Sequence, residues 1–136
     1  MNPNFADTAF WIALVAPRDQ LHSQAEGTSE WLASGQIITS GWILTEFLNE
    51  FAGRREDLRI AASKMVQSLR GRADLLIVPQ TSSGFEAAFD LYRKRIDKGW
   101  SLTDCSSFLI MEQYRIRDAL TYDRHFEQAG FTALLR

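Results

Sequence analysis

Short runs of apolar residues alternate along the chain with longer stretches in which apolar side chains return every three or four positions. The first rhythm suits strands and the second suits helices packed by one face. Residues 4–6, followed by Asp7, Thr8 and the run Ala9–Val15, predict a short strand turning directly into a helix. Leu21, Ala25, Trp31 and Leu32 are spaced through a polar stretch and predict a helix over 19–34, ended by Gly35. A second strand over 36–39 leads into a helix over 42–52, where Ile43, Leu44, Phe47, Leu48 and Phe51 form one apolar arc. An amphipathic helix over 56–69 closes at Gly71, and 73–78 reads as a buried strand stopped by Pro79. Phe85, Ala88, Phe89, Tyr92 and Ile96 predict a helix over 84–98, capped by Thr81, Ser82 or Ser83 and ended by Gly99. Ser101-Leu102-Thr103-Asp104 has the capping-box pattern and starts a helix reaching about Tyr114. A strand over 118–121, a short helix over 123–128 and a strand over 131–134 complete the series. Such alternation predicts an α/β fold: a three-layer α/β/α sandwich on a central, mainly parallel sheet of four to five strands.

The 136 residues suit one domain spanning 1–136, and no composition shift or linker marks a boundary. With 46% hydrophobic and 24% charged residues, the chain falls in the globular class rather than the disordered or fibrous ones. Its longest apolar runs are too short to span a bilayer and no secretory signal pattern opens it, so a cytoplasmic protein is expected. Cys105 is the single cysteine, which excludes an internal disulfide and a thiolate zinc site and makes it a core residue. The formal net charge of −2 argues against broad electrostatic capture of nucleic acid, unless divalent cations reverse the sign of an acidic cleft.

In a parallel α/β sheet, ligands gather beyond the carboxyl ends of the strands. Asp7 follows the first strand, Glu46 lies in the helix after the second, Asp104 opens the helix after the long one, and Asp123 follows the fourth strand. Each has a plain structural explanation. Asp7 and Asp123 suit helix caps, Asp104 suits the third position of a capping box, and Glu46 suits the exposed side of its helix. The convergence of four acids on one rim points further, because clustered carboxylates repel one another unless protons or cations intervene. Hard oxygen donors select magnesium or manganese rather than zinc. His22 and His125 have no metal-ligand spacing, and surface or partly packed roles are expected for both.

Four segments in order resemble the PIN domain family: Ala6-Asp7-Thr8, Thr45-Glu46-Phe47-Leu48-Asn49, Ser101-Leu102-Thr103-Asp104-Cys105, and Leu120-Thr121-Tyr122-Asp123-Arg124-His125-Phe126. The likeness runs from about Asn4 to Leu134 and is strongest to the stand-alone PIN proteins that include VapC-type toxins. It implies a metal-dependent endoribonuclease in which Asp7, Glu46, Asp104 and Asp123 make an acidic pocket for magnesium or manganese. In that scheme Asp7, Asp104 and Asp123 hold the ion, and Glu46 orients water or completes a second shell. Thr8 and Thr121 match hydroxyl positions that order the pocket. The resemblance further implies an RNA substrate, a small antitoxin bound over the helices bordering the pocket, and a homodimer. The alternative within the same fold is a catalytically silent RNA-binding or protein-interaction module.

Arg124 stands beside the acids as an RNA contact, whereas the other basic clusters suit solvated helix faces. Trp42 shares the polar side of its helix with Glu46 and Asn49, where it either stacks on a base, receives a partner helix or packs against a neighbouring helix. A phosphoacceptor receiver domain needs an aspartate after its central strand, taken as the one ending Val78-Pro79-Gln80. A haloacid-dehalogenase-like phosphatase needs a second aspartate where Ala9 stands, and the P-loop and dinucleotide glycine signatures are absent.

Overall fold

A computed structural model describes residues 3–16 and 36–136. The helix expected over 19–34, together with His22, lies outside the described residues. Strand β1 (Asn4–Ala6) runs into helix α1 (Thr8–Val15); β2 (Ile37–Ser40) leads into α2 (Gly41–Phe51) and α3 (Glu56–Arg70). Strand β3 (Leu75–Val78) precedes α4 (Ser82–Lys94) and α5 (Leu102–Gln113), and β4 (Asp118–Leu120), α6 (Arg124–Gln128) and β5 (Thr132–Ala133) follow.

All strand pairs are parallel, in the order β3-β2-β1-β4-β5. Helices flank this sheet as in a PIN-like α/β/α sandwich. The run Leu75–Val78, read from the sequence as central, is an edge strand, and all four of its residues are only half-buried. The centre is β1, buried throughout, and the residue that follows it is Asp7. This strand order also differs from the 2-1-3-4-5 order of receiver-like folds, which removes that reading on topology rather than on the missing aspartate.

The core is built largely of aromatic rings. Phe5, Phe10, Phe47, Phe51 and Phe126 are fully buried with Ile43, Met111 and Leu120. Phe108 meets Trp100 and Phe126 edge to face, at ring separations of 4.9 and 5.0 Å. The entry to α1 is fixed through Thr39, whose hydroxyl donates to the Ala6 carbonyl at 2.9 Å and accepts from the Trp11 indole at 3.2 Å. Side-chain caps start three of the long helices, Ser40 for α2, Thr81 for α4, and the complete Ser101/Asp104 capping box for α5, whereas α3 begins after Arg55 without one.

One helix ends earlier than its apolar spacing predicts. α4 stops at Lys94 rather than near Lys98, because Arg95 leaves helical geometry and its guanidinium sits over the Trp100 ring while pairing with Asp97. Ile96 is consequently 89% exposed. Phe85, Phe89 and Tyr92 also stand exposed on α4, where only Ala88 is buried. Leu48 likewise falls at the exposed margin of the α2 arc. Among the described residues, no helix is long and apolar enough to cross a membrane.

Candidate active site

From β1 the chain proceeds outward through β2 to β3 on one side, then returns to place β4 and β5 on the other. The crevice between β1 and β4 is therefore the switch point of the sheet, where the loops leaving the strand ends diverge and a ligand can enter. Asp7 and Thr121 follow these two strands directly and meet there. The Thr121 hydroxyl donates to Asp7 Oδ2 at 2.9 Å and accepts from the Asp123 amide at 3.1 Å.

Asp7 occupies the N-cap position of α1, but its side chain makes no capping hydrogen bond. The cap explanation thus does not account for this carboxylate. Burial pushes its pKa up to about 7, against the opposing pull of the Thr121 hydroxyl and the Thr8 amide, and the charges of Asp104 and Glu46 raise it further. A buried acid that is half-protonated near neutrality is one for which a cation would substitute.

The other acids are held by short local devices. Thr8 is buried at the start of α1, and its hydroxyl donates to Glu46 Oε1 at 2.7 Å, drawing the α2 glutamate over the crevice. Asp104 accepts the Ser101 amide at Oδ2 in the capping box, and the same oxygen lies 2.9 Å from His125 Nδ1. Burial raises its pKa, opposed by the Ser101 and His125 hydrogen bonds. Asp123 caps α6 through Oδ1, which accepts the His125 amide at 2.9 Å.

These groups share one cavity of about 350 Å³, lined by Asp7, Thr8, Glu46, Ser101, Asp104, Asp123 and His125 among others. Thr121 lies beneath it, fully buried. Arg124 is exposed and does not line the cavity. A second cavity of about 360 Å³, bordered by Trp42, Pro79, Ser83, Leu109 and Gln113, has no acidic residue in its wall. Trp42 there stacks on Phe85 across the α2–α4 contact, so it packs against a neighbouring helix.

The donor set suits a divalent cation. Each of the four carboxylates has one oxygen anchored by a donor from the protein, and the second oxygens of Glu46, Asp104 and Asp123 have no donor among the described residues. Oxygen ligands fixed in this way and clustered with like charge match the demands of magnesium or manganese.

His125 is the residue that sequence spacing misses. It is partly buried, as expected, yet it faces the cavity and forms with Asp104 and Asp123 a group whose ligand atoms all lie within 4.8 Å of one another. The missing signal is tertiary: Asp104 and His125 stand 21 residues apart and meet only because α5 and α6 start side by side. Cys105 is buried, and burial raises its thiol pKa, in keeping with a core role.

No family model matches the chain. The 23S rRNA-specific endonuclease VapC20 of Mycobacterium tuberculosis, from strains CDC 1551 / Oshkosh and ATCC 25618 / H37Rv, is 28% identical over 131 residues, which span 93% of this chain and 94% of the relative. The crystal structure of Mycobacterium tuberculosis VapC20, described as a sarcin-ricin loop cleaving toxin, superposes with a TM-score of 0.81 at 26% identity, over 94% of this chain and 95% of that one.

Proposed function

We propose that this chain, a VapC-type PIN domain by its sequence and its fold, is a divalent-metal-dependent endoribonuclease and the toxin of a toxin-antitoxin pair. The observation that carries the reading is the anchoring of four carboxylates around the β1–β4 crevice, with Asp7 buried and its pKa raised to about 7. Asp7, Asp104 and Asp123 would hold magnesium or manganese, with Glu46 completing the site. When bound, the ion supplies charge neutralisation at the scissile phosphate and a more acidic water.

The protein residues contribute position and exclusion. Thr121 fixes Asp7 and the Asp123 backbone at once, and Thr8 fixes Glu46. Arg124 lies outside the cavity and makes no ion pair among the described residues, unlike Arg54, Arg55, Arg72, Arg93 and Arg95. It is therefore available to a phosphate flanking the cut. Because the Mycobacterium tuberculosis relative is named for 23S rRNA and its solved structure for the sarcin-ricin loop, that RNA loop is the proposed first substrate. Two protein contacts belong to the same reading: a small antitoxin over the helices bordering the cleft, and a homodimer. The exposed Phe85, Phe89, Tyr92 and Ile96 supply apolar surface for the second copy. A cytoplasmic location follows from an RNA target of this kind.

The test is cleavage of 23S rRNA, mapped by primer extension, with wild type, Asp7→Asn and Asp104→Asn at matched fold, with manganese or with chelator. Cleavage should need the cation and fall by at least about a hundredfold in each variant. Undiminished cleavage in either variant, or in chelator, rejects the assignment. A folded protein that binds manganese and leaves every RNA intact would instead favour the silent interaction module.

A further inference from the structure

Trp42 borders a cavity that the proposed hydrolysis leaves unused. The cavity measures about 360 Å³, within the range of small-ligand pockets, and has no acidic residue in its wall. It lies at the same edge of the sheet as the cleft, because its wall includes residues that follow β2 and β3, the two strands beyond β1 on that side. Helix α2 joins the two sites. Trp42 and Glu46 stand one helical turn apart on it, which puts their Cβ atoms about 6 Å from each other on one face. Helix α5 likewise supplies Asp104 to the cleft and Ser106, Leu109 and Gln113 to the cavity. An unpaired RNA strand with a phosphate over the carboxylates therefore has a nearby nucleotide within reach of the cavity.

The wall suits a flat ring with a polar edge. Half-buried Trp42 stacks on Phe85 and still lines the cavity, where Leu109 adds apolar surface. The Trp42 indole N–H and the Gln113 side-chain amide have no hydrogen-bond partner among the described residues. The Thr81 and Ser83 hydroxyls, 3.2 Å apart, carry two protons, and their mutual bond uses one, so one is left for a ligand. Ser106 is 4% exposed; its hydroxyl donates to the Thr103 carbonyl and keeps its capacity to accept. An aliphatic side chain from a protein partner would seal these groups away from water without pairing them, at a cost for each. A nucleobase offers two apolar faces and pairs them along its edge.

We infer that this cavity receives one unpaired base of the RNA close to the scissile phosphate, with Trp42 as its stacking platform; the inference rests on the ribonuclease reading above. Trp42 is a positioning residue. It sets which phosphate reaches the carboxylates and touches none of the reacting atoms.

The test uses the full chain with manganese and a synthetic RNA of the loop proposed above as first substrate, from which bases are removed one at a time. Trp42→Ala should raise KM about tenfold with kcat within about threefold, and Trp42→Phe should recover most of the loss. Removal of one particular base should cost the wild type a similar factor and cost Trp42→Ala nothing further, the signature of a direct contact. A fluorescent base analogue at that position should be quenched on binding by wild type and not by Trp42→Ala. An unchanged KM in Trp42→Ala, base losses all as large in the variant as in wild type, or a loss confined to kcat overturns the inference and leaves carboxylate-based hydrolysis standing. A Trp42→Ala chain altered only in its oligomeric state assigns the cavity to a protein contact and overturns it as well. If Trp42→Ala does not fold, Gln113→Ala, on the exposed part of the wall, takes its place in the same base-removal comparison. If the wild type binds the RNA without cutting it, affinities from fluorescence anisotropy replace KM: the hydrolytic reading then falls and the base pocket is decided by the same comparisons. A wild type that binds no RNA overturns both.

Discussion

The metal-free protein should become more stable when one of its acids is neutralised. Asp7 is 7% exposed, and its pKa is raised from 3.8 to about 7, chiefly by burial. A carboxyl whose pKa is higher in the folded than in the unfolded chain binds its proton more tightly when folded. Its contribution is therefore greatest below about pH 4 and is lost as pH rises toward 7. The shift of about 3 units, at about 1.4 kcal/mol each, sets a ceiling of about 4 kcal/mol on the instability it imposes above pH 7. Asp7→Asn keeps an oxygen for the Thr121 hydroxyl and removes the charge. It should raise stability at pH 8 by about 2 to 4 kcal/mol, or roughly 10 °C in Tm for a chain of this size. Urea unfolding in chelator at pH 8 and pH 4.5 measures this, and the gain should fall to about a quarter at the lower pH, where the unfolded chain's carboxyl is still mostly ionised. Saturating manganese should then reverse the ranking, because only the wild type retains the full ligand set. An Asn variant no more stable than wild type at pH 8, or a gain equal at both pH values, refutes the account.

Three further outcomes follow from particular contacts. Thr121→Val strands the Asp123 amide and one Asp7 oxygen, so it should cost about 2 kcal/mol in urea unfolding and lower RNA cleavage even where the fold is retained. The Ser107 hydroxyl is buried in α5 with no hydrogen-bond partner among the described residues, so Ser107→Ala should stabilise by about 1 kcal/mol with unchanged manganese affinity; a loss of stability would mean that the hydroxyl is satisfied. The proposed homodimer predicts a dimeric wild type by light scattering and a monomer for Phe89→Lys, which places a charge in the exposed aromatic row of α4; a variant dimer that persists moves the interface elsewhere, and a monomeric wild type refutes the dimer.

The elements of the fold were legible because strand and helix periodicities alternate cleanly, but their arrangement in the sheet was not. Leu75–Val78 is as apolar as any central strand, yet it forms the edge, where it packs against α3 and stays half-buried. Composition reports burial from both faces and carries no information on which neighbours supply it. The same limit explains α4. Its apolar residues keep helical spacing through Ile96, but spacing does not show whether anything covers the face, and here Phe85, Phe89, Tyr92 and Ile96 remain open. Arg95 ends the helix through its contact with Trp100, a tertiary event invisible to local propensity.

The acids pose a subtler problem, because sequence reasoning sets two explanations against each other for Asp104 and Asp123: helix cap or site residue. The geometry removes the opposition. A cap uses one carboxylate oxygen, and both residues cap through a single oxygen, Oδ2 in Asp104 and Oδ1 in Asp123. The remaining oxygen is left aimed by a side chain that can no longer rotate freely. In the proposed metal site, capping would therefore preorganise each ligand and offset part of the entropy that binding otherwise costs. Asp7 lacks a cap and obtains the same restraint from Thr121, a residue 114 positions away. Where a cap holds the acid, the local sequence carries the signal. Where a distant hydroxyl holds it, only the assembled β1–β4 crevice does.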